Sequence, residues 1–482
     1  MKKRVCVFAC SPRGEKSSSL ELVRLIEKDC NLEFRHIDLG REYKRLMHDE
    51  QAIDDMIHEI ASSRAVVWAF GSYFMYLPSQ ALFAISSLAL KKNGSVFKGK
   101  IAAGVVSSIK LGDDRALKAV RRLSEGLGMI WAGGFSAPGN PYFGYRGNQA
   151  YAGFLEPAPK VEKGISFFAR GLEQAVLQGL GEPGRYRTLN NPVEIESLLP
   201  ESHIFALPEN RDKRFSKVKA VPECTVIIPE RRRPYEELSG MVESKIDTRA
   251  ERIYLDESDI RPCLGCYKCE QDPKGGCIQD DQAFSILNKL AAKSEKSPGN
   301  SRLIVLIAEQ SYLHIDPKLK SLLDRSWSFA HSRYLERTYL LPVIVAHQSE
   351  RFFLADYLND VFTFCGARVL PALFFDRDLT KRRLGSSLDR VRDAVTGNIP
   401  FPGRFSSIGA RLVLRDYVYL ARPGLVLDYL NFRKRGFFDF PNRKLSKRAS
   451  AEVLRLLMSS KRLRRLLVDY RRTFLDNKRR TS

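Results

Sequence analysis

Apolar and polar positions along this chain fall into blocks that switch between two periods. Residues 5–9 form a short apolar run closed by Ser11-Pro12-Arg13-Gly14, and Leu20-Glu-Leu-Val-Arg-Leu-Ile26 then carries apolar residues at helical spacing. Further strand-like runs are predicted over 32–37, 65–70 and 101–107, with helices over 54–62, 80–90 and 114–127. Strand and helix signals in alternation predict an α/β fold, in which a parallel sheet is covered by helices on both faces. The uncharged stretch 65–90 has the length of a membrane span, but Gly71, Ser72, Pro78, Ser79 and Gln80 interrupt it. It reads as a strand, a loop and a helix start.

The pattern occurs twice. His36-Ile-Asp38-Leu39, Asp54-Asp55-Met56 and the apolar run 65–70 recur as Ile253-Tyr-Leu-Asp256, Asp280-Asp281-Gln282 and the run 303–308. A tandem duplication of a doubly wound parallel sheet is the reading. It predicts a first domain over 1–182, a linker over 183–218, a second domain over 219–398 and an extension over 399–482. The linker is placed by its Pro, Asn, Arg and Glu content and its lack of sustained period.

The two copies differ in one place. Asp38 and Asp54 are 16 positions apart, whereas Asp256 and Asp280 are 24 apart, and the added length holds Cys263-Leu-Gly-Cys266-Tyr-Lys-Cys269 and Cys277. Three thiols spaced by two residues can wrap one face of an iron-sulfur cube, and a fourth can close the coordination. Structural zinc usually draws its thiolates from two separated knuckles, so zinc is the alternative, followed by redox or structural thiols. Cys6, Cys10, Cys30, Cys224 and Cys365 are scattered and read as small buried residues.

Charge adds a further element. The 482 residues carry a net charge of +23, and residues 401–482 hold 21 Lys and Arg against 6 Asp and Glu, a net +15. Within that region Val453, Leu456, Leu457, Leu463, Leu466, Leu467, Tyr470 and Phe474 keep helical spacing against Lys461, Arg462, Arg464, Arg465, Arg471 and Arg472. A mainly helical, basic extension with an apolar stripe suits an anionic membrane interface; packing on the domains is the alternative. Nucleic acid is not expected, because no recognisable module accompanies the charge. Nothing at the N-terminus resembles a secretory signal, so the protein is expected in the cytoplasm, or peripherally at the membrane.

In an open parallel sheet, ligands sit beyond the carboxyl ends of the strands, and a loop opening a helix offers backbone N–H groups to a phosphate. Ser11, Arg13, Ser17, Ser18 and Ser19 suit that role, with plain helix capping as the alternative for the serine run. A second loop, Ser72-Tyr73-Phe74-Met75-Tyr76 running on to Leu-Pro-Ser-Gln80, brings three aromatics and a methionine suited to a flat ring. A third begins at Ser107 and Ser108. The second copy has no equivalent of the first loop: Pro229-Glu-Arg231-Arg232-Arg233-Pro-Tyr235 lacks the hydroxyl run, and a basic turn is its reading.

Ser-Pro-Arg with a hydroxyl-rich helix start, then an aromatic loop ending in Leu-Pro-Ser-Gln, resembles the NADPH-dependent FMN reductase group of flavodoxin-like proteins. The segment from Asp259 through the cysteines to Asp280-Asp281 is similar to the cysteine motif of the iron-sulfur flavoproteins in that group. Leu319-Lys320-Ser-Leu-Leu-Asp324-Arg325 is similar to the helix after their flavin loop. The resemblance implies FMN with its phosphate on Ser11, Arg13 and Ser17 to Ser19 and its ring near Tyr73 to Tyr76. It also implies a 4Fe-4S cluster on Cys263, Cys266, Cys269 and Cys277, electrons passing between a donor and a redox partner protein or small-molecule acceptor. In such proteins the cluster of one subunit lies near the flavin of its mate, so a fused pair would keep one flavin-cluster contact per chain. Cys10 stands where the group has glycine. Two alternatives stay open: an NAD(P)H-dependent FMN or quinone reductase whose cysteines hold zinc or nothing, and a membrane-recruited electron relay. No Gly-x-Gly-x-x-Gly fingerprint is present, so NAD(P)H as substrate rests on the resemblance alone. No catalytic residue is assigned, and the oligomeric state stays open.

Overall fold

In the computed structural model, the described residues are 2–138, 158–178, 223–397 and parts of 414–449. Excepted are short stretches at 93–94, 109–111, 267, 272–275, 297–301, 312–313, 331–334, 336–337, 346–347 and 375–380. The expected linker and the amphipathic stretch 453–474 lie outside the described residues.

The first sheet contains β1 (Arg4–Ala9), β2 (Glu33–Ile37), β3 (Ala65–Gly71), β4 (Ile101–Ser108) and β5 (Ile130–Pro138) in the order β2-β1-β3-β4-β5. Every pairing is parallel. That order is the doubly wound flavodoxin topology, and its reversal falls between β1 and β3. The apolar runs read from the sequence are continuous because both faces are covered. Val5, Val7 and Ala9 pack with Val23 and Ile26 of α1 (Ser18–Lys28) and with Ile165 and Leu172 of the helix Ala158–Gln178. On β1, Phe8 instead meets Trp68 edge-on at 5.0 Å and Phe97 at 6.2 Å.

Two helices connect β2 to β3. In α2 (Leu39–His48) the carboxylate of Asp38 accepts from the Arg41 backbone N–H, and in α3 (Glu50–Ser62) that of Asp49 accepts from Gln51 and Ala52. The spacing of apolar residues predicts only the later part of α3. The uncharged stretch 65–90 resolves as β3, a tight turn and α4 (Ser79–Lys92), and no helix of the described residues is long and apolar enough to cross a membrane.

The second sheet repeats the topology. Its path is β11-β10-β8-β6-β7, formed by β6 (Glu223–Ile228), β7 (Ala250–Tyr254), β8 (Arg302–Ser311), β10 (Thr338–Val345) and β11 (Arg368–Val369). Counted from β6, this is again second, first, third, fourth, fifth. The short β12 (Leu373–Phe374) also pairs with β10, and β9 (His314–Ile315) folds back antiparallel on β8. One face is sealed by the helices Arg233–Ile246 and Lys381–Thr396, through Leu238, Val242, Leu388 and Val391.

The chain divides into two compact units that do not follow the sequence halves. The first combines residues 1–185 with 263–278 and 413–482, and the second combines 186–262 with 279–412. The cysteine segment, inserted in the second copy of the pattern, therefore groups with the first sheet. In that unit the short helix Lys268–Gln271 packs against the helix Val426–Lys434 of the basic extension. Val418, Leu427 and Phe432 of the extension are buried, and Phe438 packs on Tyr419, Tyr429 and Phe432. This part of the extension is a packed element of the unit.

Trp68 is fully buried, and its Nε1 has no hydrogen-bond partner. Trp68→Ala is expected to cost about 3–5 kcal/mol through the cavity it leaves. Trp68→Phe should cost clearly less, because no hydrogen bond is lost; denaturant unfolding followed by circular dichroism checks both.

Candidate functional site

The turn after β1 is shaped by its own backbone. Gly14 N–H donates to the Ser11 carbonyl at 3.0 Å and Ser17 N–H to the Gly14 carbonyl at 2.9 Å, and Gly14 sits at φ +52°. The Ser11 hydroxyl accepts from the Arg13 backbone N–H at 3.3 Å. Ser17 occupies the N-cap of α1, yet its side chain makes no capping bond; its hydroxyl lies 2.7 Å from that of Ser19. Ordinary capping, the alternative reading of this run, is thus not what Ser17 does. Ser11, Ser17, Ser18 and Ser19 are all buried, and Arg13 is half-buried. Hydroxyls and backbone N–H groups collected at a helix start form a cradle for an anion.

The sequence did not single out Gly40, which closes that cradle from behind. A Cβ built there would collide with the Ser11 carbonyl and lie 2.8 Å from the Cys10 carbonyl oxygen. Only a glycine lets α2 approach the turn this closely. Arg41 extends over Gly14, 2.8 Å from where a Cβ would stand, and its Nε donates to Asp38 at 2.9 Å. Cys10 does not obstruct the cradle: its thiol is fully buried and donates to the Phe8 carbonyl at 3.4 Å. Burial pushes that thiol well above its ordinary pKa, with Asp38 adding to the effect.

The aromatic loop is a two-residue reversal. Tyr73 and Tyr76 exchange backbone hydrogen bonds at 3.0 and 3.1 Å, while Phe74 and Met75 sit at φ +45° and +61°. Such a turn normally takes Gly or Asn, and left-handed bulky residues cost on the order of 1–3 kcal/mol each. Surrounding packing enforces the shape. A Cβ on Gly112, itself at φ +70°, would run into the Met75 side chain, so the start of the helix Asp113–Gly126 presses on the turn. Ser72 N–H donates to the Ser107 carbonyl at 3.0 Å, which ties this loop to the end of β4, where Ser107 and Ser108 are buried. The Ser72 hydroxyl and Gln80 Oε1 are buried without hydrogen-bond partners. Unsatisfied buried oxygens beside strained aromatics are what a polar, planar ligand would complete.

The cysteine segment lies on these same loops. Gly265 takes φ +61°, and a Cβ there would collide with the Tyr73 hydroxyl and lie 3.4 Å from Cγ of Pro12. Gln80 Nε2 donates to the Cys263 carbonyl at 2.7 Å, and Gly265 N–H donates to Cys263 Sγ at 3.4 Å. The structure thus brings the loops after β1, β3 and β4 together with the first cysteines. Cys266 is exposed, and Cys263, Cys269 and Cys277 are half-buried. Among the described residues no three His, Cys, Asp or Glu are placed to share one metal ion. A single zinc at about 2.3 Å from each sulfur would need the thiols drawn tightly together. The donor set is thiol alone, which suits a cluster whose several irons each take one thiolate.

The turn after β6 is electrically different. Arg231 pairs with Glu257 at 2.6 Å and stacks 4.0 Å from the Tyr254 ring centre, Arg232 pairs with Glu230 at 2.5 Å, and Arg233 pairs with Glu237 at 3.0 Å. Burial raises the Glu230 pKa, Arg232 lowers it, and Glu309 raises it again. Each guanidinium has a carboxylate partner, so the turn offers little to a phosphate.

Comparison with known proteins gives the following likenesses. Residues 3–140 match the family NADPH-dependent FMN reductase. A curated relative from Archaeoglobus fulgidus, described as an iron-sulfur flavoprotein, is 26% identical over 149 residues, covering 29% of this chain and 63% of that protein. The chain thus spans less than two thirds of the relative's length. Among solved structures, FerB of Paracoccus denitrificans, an NAD(P)H:(acceptor) oxidoreductase, is 16% identical and covers 37% of this chain and 99% of its own, with a TM-score of 0.28. RosB, solved with 8-demethyl-8-formylriboflavin-5'-phosphate, is 15% identical and covers 46% of this chain and 98% of its own, with a TM-score of 0.30.

Gly40→Ala should push α2 away from the turn. Faster amide exchange across residues 10–19 and a lowered melting temperature are expected, with exchange in β6 and β8 unchanged.

Proposed function

From the match of residues 3–140 to the NADPH-dependent FMN reductases, we propose a flavin-dependent oxidoreductase. It binds FMN on the first sheet and exchanges electrons with a 4Fe-4S cluster on Cys263, Cys266, Cys269 and Cys277. The observation that carries the reading is Gly265: it lies between two of the cysteines and against both Tyr73 and Pro12, one residue from each flavin loop. The curated relative's description as an iron-sulfur flavoprotein supports it.

The chain's own residues would act as follows. Ser11, Arg13 and Ser17 to Ser19 hold the phosphate, with the α1 dipole and the fork of Arg13 favouring its charge. Phe74 and Met75, held left-handed by Gly112, present a rigid apolar face to the ring, and the Ser72 hydroxyl and Gln80 Oε1 supply polar contacts at its edge. Gln80 has a second task, fixing the Cys263 backbone through its amide nitrogen. FMN when bound supplies one- and two-electron chemistry, and an iron-sulfur cluster accepts or returns single electrons. The paired arginines after β6 leave the second sheet without a phosphate cradle, so one flavin per chain is expected.

A second reading fits the same family match. The competing reading is an NAD(P)H-dependent FMN or quinone reductase whose cysteines hold zinc or nothing, which the likeness to NADPH-dependent FMN reductases supports equally. Anaerobic purification with iron, sulfide, zinc and flavin assay separates the two. In the first reading Cys266→Ser loses iron and sulfide while FMN stays bound; flavin without iron or sulfide in the wild-type protein supports the second.

Arg13→Ala combined with Ser18→Ala should weaken FMN binding by about 1.5–3 kcal/mol, roughly 10- to 150-fold, through loss of hydrogen bonds to a charged group. Quenching of flavin fluorescence on titration of the apoprotein measures it. Stoichiometric FMN on a fragment covering 219–400 would contradict the assignment to the first sheet.

A further inference from the structure

The cysteine segment leaves and rejoins its sheet through a neck held by a buried ion pair. Arg325 and Asp281, 2% and 0% exposed, form a two-pronged contact, Nη1 to Oδ2 at 2.6 Å and Nη2 to Oδ1 at 2.9 Å. The same guanidinium donates to the Arg261 carbonyl at 3.0 Å and reaches the Gln279 carbonyl at 3.5 Å. Arg261 lies two residues before Cys263, and Gln279 two residues after Cys277. One side chain therefore fastens both ends of the segment, each two residues from its outermost thiol.

Other bonds cross the same neck. Gln279 Nε2 donates to the Pro262 carbonyl at 3.1 Å, Arg261 Nη2 to the Asp280 carbonyl at 2.9 Å, and Arg261 N–H to Asp281 Oδ2 at 3.1 Å. The neighbouring pair Lys320 and Asp324 is also fully buried, but it is formed within its own helix, Pro317–Arg325, and spans no neck. Bringing two chain ends together costs conformational entropy, and a prepaired closure removes that cost from whatever binds inside.

We propose that Arg325 is a positioning residue for the thiols. Held by Asp281, its planar fork closes the neck and keeps Cys263 and Cys277, the first and last of the four, in register for one shared group. That the group is an iron-sulfur cluster rests on the function proposed above; the closure itself does not. Arginine is required, because a lysine offers the charge to Asp281 without the fork that reaches two carbonyls as well.

The test compares the full-length wild type with Arg325→Lys and Arg325→Gln, the first retaining the charge facing Asp281 so that a folded variant is available. Amide exchange across 261–281 should quicken at least tenfold in the apoproteins, with exchange in β6, β8 and residues 4–138 and the FMN content unchanged. Iron release to a chelator under anaerobic conditions should quicken at least tenfold as well. Unchanged exchange across 261–281 in folded Arg325→Lys would overturn the proposal, as would equal acceleration throughout β6 and β8, which marks a general packing role. Absence of iron and sulfide from the wild type would defeat the cluster reading alone, and the exchange comparison would still decide the neck.

Discussion

The close contact at Gly265 depends on that residue having no side chain. A Cβ there would collide with the Tyr73 hydroxyl and touch Pro12, and the glycine's φ of +61° is one that other residues adopt at a cost. The thiol segment and the loops that carry Pro12 and Tyr73 belong to one compact unit. Gln80 adds a hydrogen bond to the Cys263 carbonyl, so the approach is fixed at two successive points. A residue with a methyl group at this position would have to displace the Tyr73 hydroxyl and adopt a left-handed backbone, so glycine favours this close approach.

A division of labour follows. The turn after β1 gathers hydroxyls that do not cap their own helix, whereas the turn after β6 pairs each of its arginines with a carboxylate. The two sheets share a strand order but not an electrostatic character at the point where that order reverses. Ligand binding beyond the strand ends is thus a matter of loop chemistry laid on a common scaffold.

The central strands were the most legible parts of this architecture, because they are buried on both faces. β1, β3 and β4 read as apolar runs because helices cover each side, and the loops following them could be located for the same reason. By contrast, α2 carries few apolar positions and is announced chiefly by the Asp38 cap. Gly40, Gly112 and Gly265 act through contacts with residues distant in the chain, and no local pattern marks them. The cysteine spacing marked the segment, but its membership of the first unit depends on where Tyr73 and Gln80 lie once the chain has folded. Arg325 and Asp281 each belong to motifs visible in the sequence; that they meet, and what they hold, is a tertiary fact.

The interleaving of the units bears on how this protein can change over generations. A boundary drawn in the linker would place the serine cradle and the thiols on separate polypeptides, each with one surface of a shared contact. Recombination or gene fission at that point would part residues 1–185 from residues 263–278, which fold into the same compact unit. Substitutions on the aromatic turn are therefore felt by a residue encoded far downstream of it, since Gly265 packs against Tyr73.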